Sequence, residues 1–346
     1  MDGINERKRK NVAILGTGGT IASYVDYETG AVRPLNDAQE ILYAQPELAE
    51  LAEIETEIVF NIFSEDMERS NWVVLAKKVY DKIRKGTGVV VTHGTDTLSF
   101  TSSALSFLIE NPKAPVVFTA SQRSSDRPSS DAFFNLLGAV KVASSDFGQV
   151  VVVMHEGISD DILAIHSGVR LRKMHTSRRD AFKSVNSDIL GRINRNLDIE
   201  WSNLRKVGEQ PMKLYERVNE KVALLYFYPG MQLEILEHTL ELNDGLIIAG
   251  TGLGHISNRF LGVLRNSISE GKVVGMTSQC LYGSVNLNVY STGRNLLNVG
   301  VIPLGDMLPE VAYTKLSFLM GNFKTDEVKK LLVENLRGEL SARRRS

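Results

Sequence analysis

Cysteine is almost missing from this sequence. Cys280 is the single one in 346 residues, so an intrachain disulfide framework and a thiolate metal cluster are both excluded. Long apolar runs are missing too. The longest are strand-sized, far short of the roughly 20 residues of a membrane helix. No apolar stretch of signal-peptide length follows the basic start. A surplus of one charge is also lacking. The chain carries 40 Lys and Arg against 41 Asp and Glu, a formal net charge of −1, which gives no general drive towards nucleic acid or an anionic membrane. The basic clusters Arg7-Lys8-Arg9-Lys10 and Arg343-Arg344-Arg345 read as solvated, frayed ends. What remains is an ordinary globular composition, 43% hydrophobic and 23% charged, long enough for two domains of roughly 150 residues each. A cytoplasmic protein without membrane association fits these features.

Short β-rich runs alternate with helix-period segments. Val12–Leu15, Glu55–Ile62, Val89–Val91, Pro115–Phe118 and Val150–Met154 read as strands. Between them, Asn71–Ile83 places Trp72, Val73, Leu75, Ala76, Val79, Tyr80 and Ile83 at helical spacing, and Leu98–Ile109 and Asp131–Ala143 also read as helices. Such alternation predicts a doubly wound α/β domain on a parallel sheet. Composition turns polar and weakly periodic from about 185 to 220. A larger N-terminal domain over 1–190, a linker over 191–218 and a smaller C-terminal α/β domain over 219–346 follow. The second domain begins with Val222–Tyr228, Gly245–Ala249 and Val273–Met276 as strands and becomes largely helical towards Leu336.

In doubly wound sheets the ligand sits beyond the carboxyl ends of the strands. That rule selects the loops Gly16–Tyr27, Ser64–Met67, Thr92–Thr97 and Ser121–Arg127, all dense in hydroxyls, charges or glycine. Gly16-Thr17-Gly18-Gly19-Thr20 is not a dinucleotide fingerprint, because Ile21 stands where the third glycine belongs. Gly250-Thr251-Gly252-Leu253-Gly254-His255 fails in the same way. The first glycine turn instead brings backbone close to a small polar substrate and exposes Thr20, or is a plain structural turn. In His93-Gly94-Thr95-Asp96-Thr97, Asp96 and Thr97 suit a helix cap. A threonine beside a carboxylate also suits nucleophilic catalysis, which needs a base to activate the hydroxyl. His93 reads as a packed histidine. Lys173 is a candidate base, with Asp96 as its orienting acid, although spacing alone leaves it one lysine among many.

Gly18-Gly19-Thr20-Ile21-Ala22 and Thr92-His93-Gly94-Thr95-Asp96-Thr97 resemble the two threonine motifs of the L-asparaginase and glutaminase family. They stand in order, each after a strand, about 75 residues apart. Asn61-Ile62-Phe63-Ser64-Glu65-Asp66-Met67 is similar to the substrate loop between them, and the resemblance spans about Asn11 to Gly338. It implies an asparaginase-like α/β fold and release of ammonia from a carboxamide side chain. It implies Thr20 as the acyl-forming nucleophile assisted by Tyr27, and Thr95, Asp96 and Lys173 as a second triad. Gly19, Ser64, Glu65, Gly94 and Ser121, with Asp96, would hold the substrate, and no metal is implied.

The long basic loop Ser121–Asp131 and the stretch Met174–Phe182 resemble one branch of the family, the D subunits of archaeal glutamyl-tRNA(Gln) amidotransferases. So do Gly250–His255 and Thr277–Arg294. That branch implies glutamine as substrate, with asparagine the alternative. It implies a homodimer and an E subunit that would bind the tRNA and use ATP and Mg, leaving this chain without a cofactor. Its members usually carry a small β domain ahead of the core, where about ten residues stand here. Arg123, Arg127, Arg178 and Arg179 would serve the partner or pair with Asp126, Asp131 and Asp180.

Overall fold

The computed structural model describes residues 9–19, 23–25, 32–34, 45–125, 127, 129–204 and 206–341; Thr20 and Tyr27 lie outside them. The chain forms two compact units. Within the described residues, one runs to Leu98 and includes 109–183 and 189–214. The other holds 99–108, 184–188 and everything from Tyr215 onward.

The first unit is built on an eight-stranded sheet. Its strands are β1 (Asn11–Gly18), β2 (Glu53–Ile62), β3 (Gly88–Thr92), β4 (Val116–Thr119), β5 (Val150–His155), β6 (Ile162–Ser167), β7 (Gly191–Asn194) and β8 (Ile199–Trp201). They lie in the order β8-β7-β6-β5-β4-β3-β1-β2. The first five run parallel. All of β1 after Asn11 is buried, as expected of a strand covered on both faces. Helix α1 (Arg69–Ile83) starts at a capping box, where the Glu68 amide donates to Asn71 Oδ1 at 2.8 Å. It buries Trp72, Leu75, Ala76, Val79 and Ile83, while Val73 and Tyr80, which share the expected spacing, flank that face and stay half-buried. Helix α3 (Ala132–Ala143) lies between β4 and β5 in the chain, and its Leu136, Val140 and Ala143 share a core with Val117, Val151 and Val153.

Three further strands extend the sheet antiparallel at one edge. Only six residues separate β5 from β6, too few for a parallel crossover, which takes a dozen or more. Residues 191–201, polar enough to read as a linker, supply β7 and β8. Their signal is brief: Gly191–Asn194 alternates buried and exposed over four residues.

The second unit carries a parallel four-stranded sheet, β9 (Val222–Tyr226), β10 (Gly245–Gly250), β11 (Val273–Ser278) and β12 (Ile302–Pro303), in that order. Leu246, Ile248, Phe260, Leu264, Val274 and Met276 share its core. Most of helix α2 (Leu98–Leu108) belongs to this unit: Phe107 stacks on Phe318 of the helix Pro309–Asn322, with centroids 5.8 Å apart. A buried ion pair, Lys315 Nζ to Glu339 Oε1 at 2.7 Å, ties that helix to the chain end. Among the described residues no helix is long and apolar enough to cross a membrane.

Two buried histidines of the first unit, His93 and His166, are shifted by their surroundings. His93, just after β3, is pushed down to about 4 by burial, against the opposing pull of the Gly94 carbonyl. His166 in β6 is pushed down to about 4 by burial and by the Lys183 charge, with Glu156 opposing. Both folded values lie below the unfolded one, so the unfolded chain binds more protons between them. Stability is therefore full above about 6.5 and falls as pH drops towards about 4. The urea midpoint of the protein is expected to be lower at about pH 5 than at about pH 7, and less so in His166→Gln. Equal midpoints at the two pH values would contradict this account.

Candidate active site

The chain leaves β1 for β2 on one side and then places β3 on the other, so the β1/β3 boundary is the switch point of the sheet, where strand order reverses. The ends of β1, β2 and β3 meet there without side chains between them. Gly19 has φ +84, a left-handed conformation that favours glycine, and a Cβ on it would lie 2.5 Å from the Gly94 amide nitrogen. A Cβ on Gly94 would lie 2.5 Å from Cβ of Ser64. The three loops stack backbone on backbone, and the two glycines permit it.

They enclose a cavity of about 360 Å³ lined by Gly19, Ser64, Glu65, Gly94, Thr95 and Asp96, together with Asn61–Phe63 and Asp66. A cavity of this size suits a small molecule. Thr97 Oγ1 donates to the Ser64 carbonyl at 2.7 Å and locks the β2 loop to the β3 loop. Ser64 Oγ lies 3.4 Å from Asp96 Oδ2 and 3.5 Å from Glu65 Oε2. His93 holds the other side, its Nδ1 2.7 Å from the Gly94 carbonyl. That carbonyl can only accept, so Nδ1 carries the proton, and the buried ring packs as a neutral clamp.

Lys173 arrives from a ribbon in which Leu171–Lys173 pairs with Phe182–Ser184. Its ammonium donates to Thr95 Oγ1 and to Asp96 Oδ1, both at 2.8 Å. The lysine side chain is 15% exposed and the Asp96 side chain 65%, while Thr95 is buried. Hydroxyl, amine and carboxylate thus form one hydrogen-bonded triad at the rim of the cavity.

Of the residues expected in the site, Gly19, Ser64, Glu65, Gly94, Thr95 and Asp96 line the cavity, and Lys173 joins them through Thr95 and Asp96. Ser121 is buried after β4, its Oγ without a hydrogen-bond partner, and is not among the lining residues. Thr20 and Tyr27 lie outside the described residues, as does Asp126. The arginines divide in a way charge alone does not show. Arg178 pairs with Asp180, Nη2 to Oδ2 at 2.8 Å. Arg179 takes Asp160 at 2.8 Å, a residue the motifs never pointed to. Asp131 instead accepts the backbone amides of Gln122 and Arg123 at 3.0–3.1 Å.

A threonine, a lysine and a carboxylate beside a glycine-built pocket define a nucleophilic amide-cleaving class of site. The chain belongs to the asparaginase family: the family model "Asparaginase, N-terminal" matches residues 11–205, and "Glutaminase/Asparaginase C-terminal domain" matches 221–332. Among its relatives is the D subunit of the glutamyl-tRNA(Gln) amidotransferase of Archaeoglobus fulgidus, 50% identical over 333 residues, covering 95% of this chain and 79% of that one. Its counterpart in Pyrococcus abyssi is 48% identical over 335 residues, covering 95% and 76%. Among solved structures, the thermostable L-asparaginase of Thermococcus kodakarensis superposes with a TM-score of 0.87 at 34% identity, over 96% of this chain and 100% of that one. L-asparaginase I of Vibrio cholerae gives 0.84 at 29% identity, over 96% and 99%.

Lys173→Met keeps the length of the side chain and removes both hydrogen bonds. It is expected to lower kcat for amide hydrolysis by about 10²–10⁴-fold, the range for losing a positioned base, with KM changed little. Steady-state kinetics on the purified protein check this, and an unchanged kcat would remove Lys173 from the machinery.

Proposed function

We propose that the chain is the ammonia-producing subunit of an amidotransferase that converts Glu-tRNA(Gln) to Gln-tRNA(Gln), with glutamine as its substrate. The observation that carries this reading is the bridge from Lys173 to Thr95 and Asp96 beside the cavity. The names of the archaeal relatives support its particular form.

In this mechanism Thr20 Oγ attacks the carboxamide carbon, Tyr27 assists proton transfer, and backbone N–H groups of the glycine loops face the developing oxyanion. The C–N bond breaks and ammonia leaves with the proton taken from the hydroxyl. Water then cleaves the acyl ester, releasing glutamate and restoring Thr20. Thr95, Lys173 and Asp96 form the second triad. Lys173 donates to both partners as an ammonium, so it must first release a proton to serve as base. Asp96 and Glu65 attract the substrate's ammonium and Ser64 its carboxylate, with Ser121 as a further substrate contact. Ammonia passes to an E subunit that binds the tRNA and uses ATP and Mg, so this chain acts in the cytoplasm without a cofactor of its own. A second reading, a stand-alone L-asparaginase, draws on the likeness to the Thermococcus kodakarensis enzyme over that chain's whole length.

Ammonia release from glutamine and from asparagine, each with and without the E subunit and misacylated tRNA, separates the two. Glutamine hydrolysis is expected to rise about tenfold or more with the complete partner system. Fast asparagine hydrolysis indifferent to the partner would replace the amidotransferase reading by the asparaginase one. Intact amide hydrolysis in both Thr20→Val and Thr95→Val would sink both. The chain is further expected to sediment as a homodimer, and full activity at monomeric mass would refute that.

A further inference from the structure

A set of polar side chains behind the site belongs to none of the roles above. His155, at the end of β5, is completely buried. Its Nδ1 lies 2.7 Å from Asn135 Oδ1, and its Nε2 lies 2.8 Å from Asp160 Oδ1. Asn135 is buried in α3, and its Nδ2 donates to the Ala120 carbonyl at 2.9 Å and to Asp131 Oδ2 at 3.3 Å. Asp131, also buried, accepts the amides of Gln122 and Arg123. From the other end, Arg179 gives one guanidinium nitrogen to Asp160 at 2.8 Å and another to the Ser129 carbonyl at 2.6 Å. Ser129 lies in the same loop as Ala120 and Arg123, so the path closes into a ring.

The ring fixes its own proton positions. Ala120 offers only a carbonyl, so the Asn135 atom facing it is the NH2, and Oδ1 is left to face His155. Oδ1 can only accept, so Nδ1 of His155 carries a proton. Nε2 faces a carboxylate that also receives Arg179. Partial burial pushes the Asp160 carboxyl up, but the hydrogen bonds and charges of His155 and Arg179 outweigh it and hold it below the ordinary value. An ionised Asp160 accepts, so Nε2 carries a proton too.

We propose that His155, protonated on both ring nitrogens, is a positioning residue that holds the loop around Ser121 in place through Asn135 and Asp131 and couples it through Asp160 and Arg179 to the loop that follows Lys173. None of the ring residues is among those that line the cavity. The ring acts because Ala120, Gln122 and Arg123 flank Ser121 on both sides and are bound by backbone atoms. A loop of serines, arginines and an aspartate has little apolar surface of its own to bury, so buried side-chain partners must order it.

The test uses the whole protein and three readouts. Asp160 is half exposed, so Asp160→Asn is expected to fold; His155→Gln is the second variant. Hydrogen exchange over the peptide 120–131, read by mass spectrometry, is expected to speed up about tenfold or more in both variants. In imidazole ¹⁵N spectra near neutral pH, the signals lost in His155→Gln are expected to report two protonated nitrogens. KM for the amide substrate is expected to rise about fivefold or more while kcat stays within about twofold, the signature of lost ground-state binding. Arg179→Lys is expected to recover part of what Arg179→Met loses. Unchanged exchange, a neutral His155 tautomer, or a fall in kcat with KM unchanged would each overturn the proposal. The kinetic readout rests on the amide-hydrolase reading above, and the other two do not. A wild-type protein that hydrolyses no amide would thus strike that reading, while exchange and spectra still decide the ring.

Discussion

The hydrogen bonds from Lys173 to Thr95 and Asp96 are the interaction on which the rest of the site depends. Thr95 and Asp96 lie where β3 opens into the next helix, and the lysine comes from 78 residues further along the chain. Bringing it back requires the sheet to stop being parallel. β6 turns the chain against β5, and the segment after it returns to the strand ends as a short ribbon. The antiparallel edge of the sheet thus precedes and returns the lysine, as the parallel part carries the hydroxyls.

Close backbone approach is the matching constraint on the other side of the cavity. Gly19 lies against the Gly94 backbone and Gly94 against Ser64, so peptide groups of both glycines come close to the cavity they line. Peptide N–H groups are fixed dipoles that need no reorganisation when negative charge develops against them. Around that cavity the charged groups differ in exposure. Asp96 remains largely open to solvent, and Thr95 is buried beneath it. A negative charge is therefore offered at the rim while the hydroxyl is kept from bulk water.

The parallel part of the fold and most of the cavity lining were legible in the sequence, because both follow from local rules. Strands β1, β3, β4 and β5 are built on apolar runs separated by helix-period segments, and the lining residues sit in motifs directly after strands. Other features depend on long-range partners. Strands β7 and β8 are short and polar on their open sides, so 191–201 reads as a connector. Helix α2 has a helical pattern, but nothing local says that Ser99–Leu108 packs with Phe318 in the second unit. Asp131 follows Arg123 and Arg127 in the chain and yet binds two backbone amides, because a buried carboxylate gains more from preorganised N–H groups at fixed distance than from mobile guanidinium groups. His155, Asn135 and Asp160 carry no motif, and the link from β5 back to the helix Ala132–Ala143 is made only in the folded chain.

Two of the lysine–carboxylate contacts, Lys315–Glu339 at 2.7 Å and Lys173–Asp96 at 2.8 Å, have almost equal length in opposite surroundings. Lys315 and Glu339 are both completely buried. The ammonium also donates to the Leu332 and Glu334 carbonyls, and the carboxylate accepts the amides of Leu336 and Arg337. Burial pushes the Lys315 amine down, with Glu339 opposing. Such a pair holds position because each charge would be costly if left alone in the interior. Lys173 is instead paired with a carboxylate that faces solvent and with a hydroxyl. Its second partner is a potential proton donor, and water can solvate whichever form results. Contacts of almost one length thus stand in two settings, one with both partners enclosed and one with its carboxylate open to solvent and a hydroxyl beside the lysine.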